Sequence, residues 1–217
     1  MSPLDTLSYH FDDDLMDQTR SDSQPRVRVY RWQGVAVVIG RGGKQELELD
    51  TDAIAADDVP LYKRPGGGCA VVLDPGNIIV SVALALPGLS GITTAFGGIS
   101  RWLAGSLDQC GVPGVTQRGV SDLAIGERKV GGSCIYRTRN LLYYSTTLLV
   151  DPDLDLVERY LPHPPREPDY RLGRPHRQFM GTLSLLSGIS SPENLVSKLE
   201  FYLSQSLISL SDSLISG

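Results

Sequence analysis

At 217 residues the chain fits one large domain, or a domain with a small appendage, because single cores run to about 250 residues. Hydrophobic residues at 41% permit a sizeable core and exclude wholesale disorder. With 25 acidic residues against 20 Lys and Arg, the net charge of -5 argues against a general binder of nucleic acid or of anionic membranes.

The N-terminal stretch MSPLDTLSYHFDDDLMDQTR is acidic and lacks the basic and apolar regions of a signal peptide. Within it, Phe11, Leu15 and Met16 stand at helical spacing over residues 10–20, with Asp12, Asp13 and Asp14 suited to a first turn. RVRVYRW alternates as a strand does, and VAVVIG is the continuous apolar run of a buried strand. LELDTDAIAADD reads as a short helix. The centre then runs LYKR, PGGG, CAVVLDPGN, IIVSVALAL, which predicts apolar strands separated by two tight turns. Residues 90–110 predict a helix with Ile99, Trp102, Leu103 and Leu107 on one face. SDLAIGERKVGGSCIYR and NLLYYSTTLLVD read as two further strand pairs, with GERK as a turn, and DLDLVERYL as a short helix. Residues 163–178 are rich in Pro and Arg and predict an ordered surface loop anchored by Tyr170 and Leu172. A final helix opens on a cap at Ser191 to Glu193 and carries a leucine stripe.

The expected class is α/β, specifically α+β, with mixed or antiparallel sheets packed against helices. Residues 1–180 form the expected catalytic unit, and 181–217 a helical extension packing on it. A Rossmann domain is excluded because the glycine cluster lies between strands. The apolar runs fall short of the roughly 20 residues that span a bilayer. Cys69, Cys110 and Cys134 show no metal-ligand spacing and read as reduced thiols. These features give the expectation of a cytoplasmic protein with no membrane or nucleic-acid partner.

Three clusters carry candidate chemistry. In Arg64-Pro65-Gly66-Gly67-Gly68 three bare residues let backbone amides touch a ligand, and such amides bind phosphate oxygens. Arg64 adds a permanent, fork-shaped cation. Asp74-Pro75-Gly76-Asn77 is an ordinary turn former, whose functional version points the Asn77 amide into the same cleft. Lys129 leaves a turn just before Gly131-Gly132-Ser133, and paired glycines in a strand mark the close approach of a backbone or ligand. His10, His163 and His176 have no metal-ligand spacing, and neither GxSxG nor GxxxxGK[ST] occurs. Each cluster also has a bland reading, as a turn or a solvated charge.

Their order decides more than any one of them. KRPGGGCAVVLDPGN, about forty residues, then SDLAIGERKVGGSCIYRTRNLLYYSTTLLVD resembles the lipoate–protein ligase branch of the biotin/lipoate ligase and octanoyltransferase superfamily. The resemblance extends from YRWQGVAVVIGR to about Arg177. It implies that Lys129 is the catalytic lysine, contacting the acid's carboxylate and the phosphate of an acyl-adenylate. By the same resemblance Arg64, Gly67 and Gly68 belong to the turn closing over lipoyl and phosphate groups, with Gly66 at the serine position and Cys69 at the third glycine. Val71 lies in the strand, 70–73, whose backbone reads adenine. Asn77 is implied beside the phosphate, Asp122 beside the phosphate and its magnesium ion, and Gly132 and Ser133 along the pocket. ATP, Mg2+ and lipoate are the implied ligands, and an acceptor lipoyl domain the implied partner.

The chain departs from the pattern at Ser121 (Asn in the family), Ser145 (His), Lys63 (Arg) and Leu73 (often His). These positions bear on acid specificity and on the second half-reaction. The expected activity is an ATP-dependent ligase, either single-domain or dependent on a separate accessory chain. Its alternatives are an acyltransferase working through a cysteine thioester, for which VPGVTQRGVSD supplies no cysteine, and a non-catalytic binding subunit. The loop's Arg166, Arg171, Arg174 and Arg177 predict a solvated basic face that guides an acidic acceptor.

Overall fold

The computed structural model describes residues 3–89, 91–189 and 191–216. In chain order they form β1 (Leu7–Ser8), α1 (Asp13–Asp22), β2 (Arg26–Arg31), β3 (Ala36–Ile39), α2 (Gln45–Glu48), α3 (Thr51–Ala56), β4 (Leu61–Lys63), β5 (Val71–Leu73) and β6 (Asn77–Leu84). Then come α4 (Ile92–Gln109), β7 (Val115–Arg118), β8 (Asp122–Ile125), β9 (Arg128–Thr138), β10 (Leu141–Leu149) and α5 (Leu154–Tyr160). A 3-10 turn (Asp169–Arg171), α6 (His176–Phe179), α7 (Leu183–Ser187) and α8 (Pro192–Ser216) complete the chain. The expected helix start at Ser90 lies outside the described residues.

The strands form two sheets. The larger runs β2-β6-β10-β9-β8-β7 with antiparallel pairing throughout; the smaller runs β1-β4-β3-β5 and mixes parallel with antiparallel pairs. Strand β6 shows why its sequence is apolar on both parities. Ile78, Val80, Val82 and Leu84 face α4 and α8 in the main core, while Ile79 packs between the sheets and Ala83 under α1. Leu195, Leu199, Leu203, Leu207 and Leu210 of α8 lie in that same main core, beside Ile99, Leu103 and Leu107 of α4.

One expectation about the centre is corrected. The glycine segment is not a tight turn: β4 pairs parallel with one edge of β3 and β5 antiparallel with the other, so residues 64–70 cross over the end of β3. Gly40, just past β3, makes room for that crossing, since the Gly68 carbonyl occupies the place of a Cβ. Asp74-Pro75-Gly76-Asn77 forms the expected tight turn, the Asn77 N–H donating to the Asp74 carbonyl at 2.9 Å, and joins β5 of one sheet to β6 of the other. Strand β7 and the split of LELDTDAIAADD into α2 and α3 were not expected. Among the described residues no helix is long and apolar enough to cross a membrane.

Candidate active site

Lys129 stands near the start of β9, where a register shift against β8 separates Leu123 from Ala124. Its ammonium lies 2.7 Å from Asp122 Oδ1, the first residue of β8. Gly132, opposite Asp122 in the ladder, gives this side chain its space: a Cβ there would come within 3.1 Å of Lys129 Nζ. Gly131 faces the other way, where a Cβ would press on the Thr147 carbonyl. The paired glycines therefore serve two faces, one for the lysine and one for the neighbouring backbone.

The glycine crossing reaches the same sheet face through Gly66, where a Cβ would lie 2.6 Å from Cys134 Sγ. Gly67 and Gly68 are exposed, Gly67 has open space about it, and Gly68 takes φ +90. Arg64 organises this turn from below. Its guanidinium donates to the carbonyls of Val38 (3.1 Å), Gly67 (2.8 Å) and Cys69 (2.8 Å). Val71, half-buried, sits on β5, an edge strand of the smaller sheet that is hydrogen-bonded on the β3 side. Cys69 is half-buried, with its sulfur 3.7 Å from the Arg166 carbonyl.

Two candidate side chains are directed elsewhere. Strand alternation turns Ser133 to the helix side, where its hydroxyl meets Tyr144 (2.7 Å) and Thr146 (3.1 Å). Asn77 is fully buried and its Oδ1 accepts the Asp74 N–H at 2.8 Å, so this oxygen holds the turn. Asp74 completes the arrangement by accepting from the Gly76 and Asp153 N–H groups, while burial pushes its carboxyl above the usual range.

The loop of residues 163–180 covers the lysine side of the site and supplies groups that sequence reasoning had not placed there. Tyr170 donates to Asp122 Oδ2 at 3.0 Å, and its phenol is pushed up first by burial and then by the Asp122 charge. The Arg118 guanidinium lies 4.8 Å from the Tyr170 ring centroid. The loop's end is pinned to the lysine itself, because the Gly181 N–H donates to the Lys129 carbonyl at 2.8 Å and Met180 forms a bridge beside it. Of the two expected anchors Tyr170 is one; Leu172 is 80% exposed and is not. The expected basic face is corrected in part, since only Arg166 and Arg177 of its four arginines are exposed. Arg171 is buried, Arg174 donates to the carbonyls of Tyr170 and Arg171, and Arg177 pairs with Asp155 and Glu158.

Both oxygens of Asp122 are thus engaged, by Lys129 and Tyr170. Among the described residues no three His, Cys, Asp or Glu side chains gather as a metal site. Cys134 is buried behind Gly66 with its thiol pushed up by burial, and Cys110 belongs to the helix-side core.

Comparison with known proteins bears on the family and the fold. The family described as "Lipoyl protein ligase A/B catalytic domain" matches residues 6–198. A probable lipoate-protein ligase A of Mycoplasma genitalium is 31% identical over 148 residues, 68% of this chain and 43% of that protein. The octanoyltransferase LipM of Symbiobacterium thermophilum is 28% identical over 181 residues, 72% of this chain and 65% of that protein. The chain spans less than half the length of the Mycoplasma relative. A lipoate-protein ligase A structure bound with ATP superposes with TM-score 0.76 at 21% identity, covering 97% of this chain and 92% of the other. The bi-partite lipoate protein ligase of Thermoplasma acidophilum gives 0.75 at 22%, covering 97% and 89%. The sheets-and-helices architecture is therefore that of a lipoate ligase catalytic fold, and the chain belongs to the lipoyl protein ligase A/B catalytic domain family.

Proposed function

We propose that this protein is an ATP-dependent lipoate–protein ligase. The acid's carboxylate oxygen attacks the α-phosphorus of ATP, forming lipoyl-AMP and releasing pyrophosphate. The ε-amine of a lysine on an acceptor lipoyl domain then attacks the carbonyl carbon of that anhydride, forming the amide, releasing AMP and giving up a proton. Activation is needed because a free carboxylate is a poor acyl donor.

The observation that carries this reading is the Lys129 ammonium set against the bare Gly132, beside an exposed glycine turn. A preorganised cation and bare amides suit the crowded negative charge of a carboxylate meeting a phosphate. In this reading Lys129 is catalytic. Gly66, Gly67, Gly68, Cys69 and Gly132 line the acid and phosphates, and Val71 presents its backbone to the adenine. Arg64 holds the turn and contributes its charge; Asn77 and Ser133 contribute through the turn and strand backbones they fix. The neighbour bound with ATP and the archaeal ligase studied with its E2 lipoyl domain support ATP as co-substrate and a lipoyl domain as acceptor. A further neighbour, with bound lipoic acid, supports lipoate. A magnesium ion would arrive on the phosphates, where it neutralises charge, and Asp122 is the carboxylate nearest the lysine for it; such ions keep most of their ligands as water and phosphate. The proposal places the protein in the cytoplasm, working either as a single-domain ligase or with a separate accessory chain.

The transferase reading rests on the LipM relative. It needs a reactive thiolate, whereas burial pushes up the thiols of both Cys110 and Cys134, which leaves the half-buried Cys69 as the thiol to test. Lipoate-dependent exchange of labelled pyrophosphate into ATP tests the choice. The ligase exchanges, and Lys129→Gln lowers the rate at least about 100-fold with an unchanged melting curve. No exchange, with acyl transfer from octanoyl carrier protein in the absence of ATP, overturns the ligase and sends the search to the cysteines.

A further inference from the structure

Arg171 is the buried cation that the site so far leaves unused. The residue is 4% exposed. Its Nε donates to the Arg174 carbonyl at 2.9 Å and its guanidinium lies 4.9 Å from the Phe179 ring centroid, but Nη2 is buried without a hydrogen-bond partner. A buried guanidinium donor left unpaired is costly, and native proteins keep few of them. Glu167, 3.5 Å from Nε, relieves it only in part, because that carboxylate also meets His163 Nε2 and the Gly173 N–H.

The 3-10 turn that carries Arg171 ends on a left-handed residue. Leu172 adopts φ 53, a left-handed conformation unusual for a leucine, and projects into solvent. The position is also specific. Through Tyr170, the preceding residue, the loop bonds to the carboxylate that holds Lys129; through Arg166 it lies on Cys69, at the end of the glycine turn. The neighbouring arginines have their own partners, Arg118 in Glu127 and Tyr170, and Arg174 in two carbonyls.

We propose that Arg171 is an anion-binding residue of this site, donating from Nη2 to a phosphate oxygen of the nucleotide; this rests on the adenylate-forming reading above. The guanidinium then completes a phosphate cradle whose other members are Lys129 and the glycine amides, and the unpaired donor is explained as a group awaiting substrate.

Calorimetric titration of AMP and, separately, of inorganic pyrophosphate into the full chain and into Arg171→Gln tests this. With wild-type melting, the variant should bind one of the two anions about 10- to 100-fold more weakly, and the affected anion tells which phosphate Arg171 holds. Unchanged affinity for both overturns the proposal. Should Arg171→Gln melt early, the unaltered chain crystallised with AMP or pyrophosphate decides. A phosphate oxygen about 3 Å from Nη2 supports the assignment, and a bound anion with Nη2 still unpaired overturns it. Failure of the unaltered chain to bind AMP, pyrophosphate or ATP overturns the nucleotide reading and this proposal together, whereas binding insensitive to Arg171 overturns this proposal alone.

Discussion

Lys129 depends on a neighbour that has no side chain. The clearance at Gly132 is measured against the lysine's own terminus, so Gly132→Ala displaces a flexible ammonium before it strains any backbone. We therefore expect Gly132→Ala to melt within a few degrees of wild type while its pyrophosphate exchange falls by up to about 100-fold, the penalty of a misplaced catalytic group. An inactive variant that also fails to fold, or a fully active one, contradicts this account of the glycine. The prominence of Lys129 and of both glycine clusters was legible in the sequence, because glycine and lysine at turn and strand positions are locally unusual. Other residue-level facts were not. Asp12 looks like a helix-start residue, yet it is 1% exposed and accepts hydrogen bonds at 2.7 Å from both Ser81 and Tyr143, partners 69 and 131 positions away. Likewise Ser133 sits beside Gly132 in sequence, but a period of two sends its hydroxyl to the opposite face.

At the scale of elements, the covering loop is the part that composition described least well. A run rich in Pro and Arg reads as surface, and only the fold shows Arg171 and Phe179 turned inward with Tyr170 reaching Asp122. The glycine crossing was misjudged for a related reason. Apolar runs predict strands, but nothing local says that β4 and β5 flank β3 instead of pairing with one another. The loop also holds a titratable group with a defined sign. His176 donates from Nε2 to the Pro162 carbonyl, and burial, its main influence, lowers its pKa from the ordinary 6.5. The folded imidazole binds a proton less readily than the unfolded one, so protonation favours unfolding. Stability from this group is complete above about pH 6.5 and is lost as the pH falls below that value. Thermal melts at pH 7.5 and 5.5 should show a larger acid loss for wild type than for His176→Gln; parallel losses would remove His176 from the account.

For the molecule as a whole, the alternating and continuous apolar runs made the α+β class legible, and the superposition onto a lipoate ligase catalytic fold agrees with it. The helix α8 is no loose appendage energetically. Leu199 and Leu203 are fully buried in the core that also holds Ile78 and Val80 of β6. Leu203→Ala should cost about 2–5 kcal/mol by cavity formation and shift one cooperative transition; a separate early transition for α8 would instead show it melting apart from the sheet. Lys129 is the residue proposed to activate an acid with ATP on this fold. The most direct test of this is the intact mass of a lipoyl acceptor domain incubated with the protein, ATP, magnesium and lipoate, with Lys129→Gln in parallel. A lipoyl mass gain that requires ATP and disappears with Lys129→Gln is the predicted result. A gain without ATP, or one that survives the loss of the lysine, would contradict the claim.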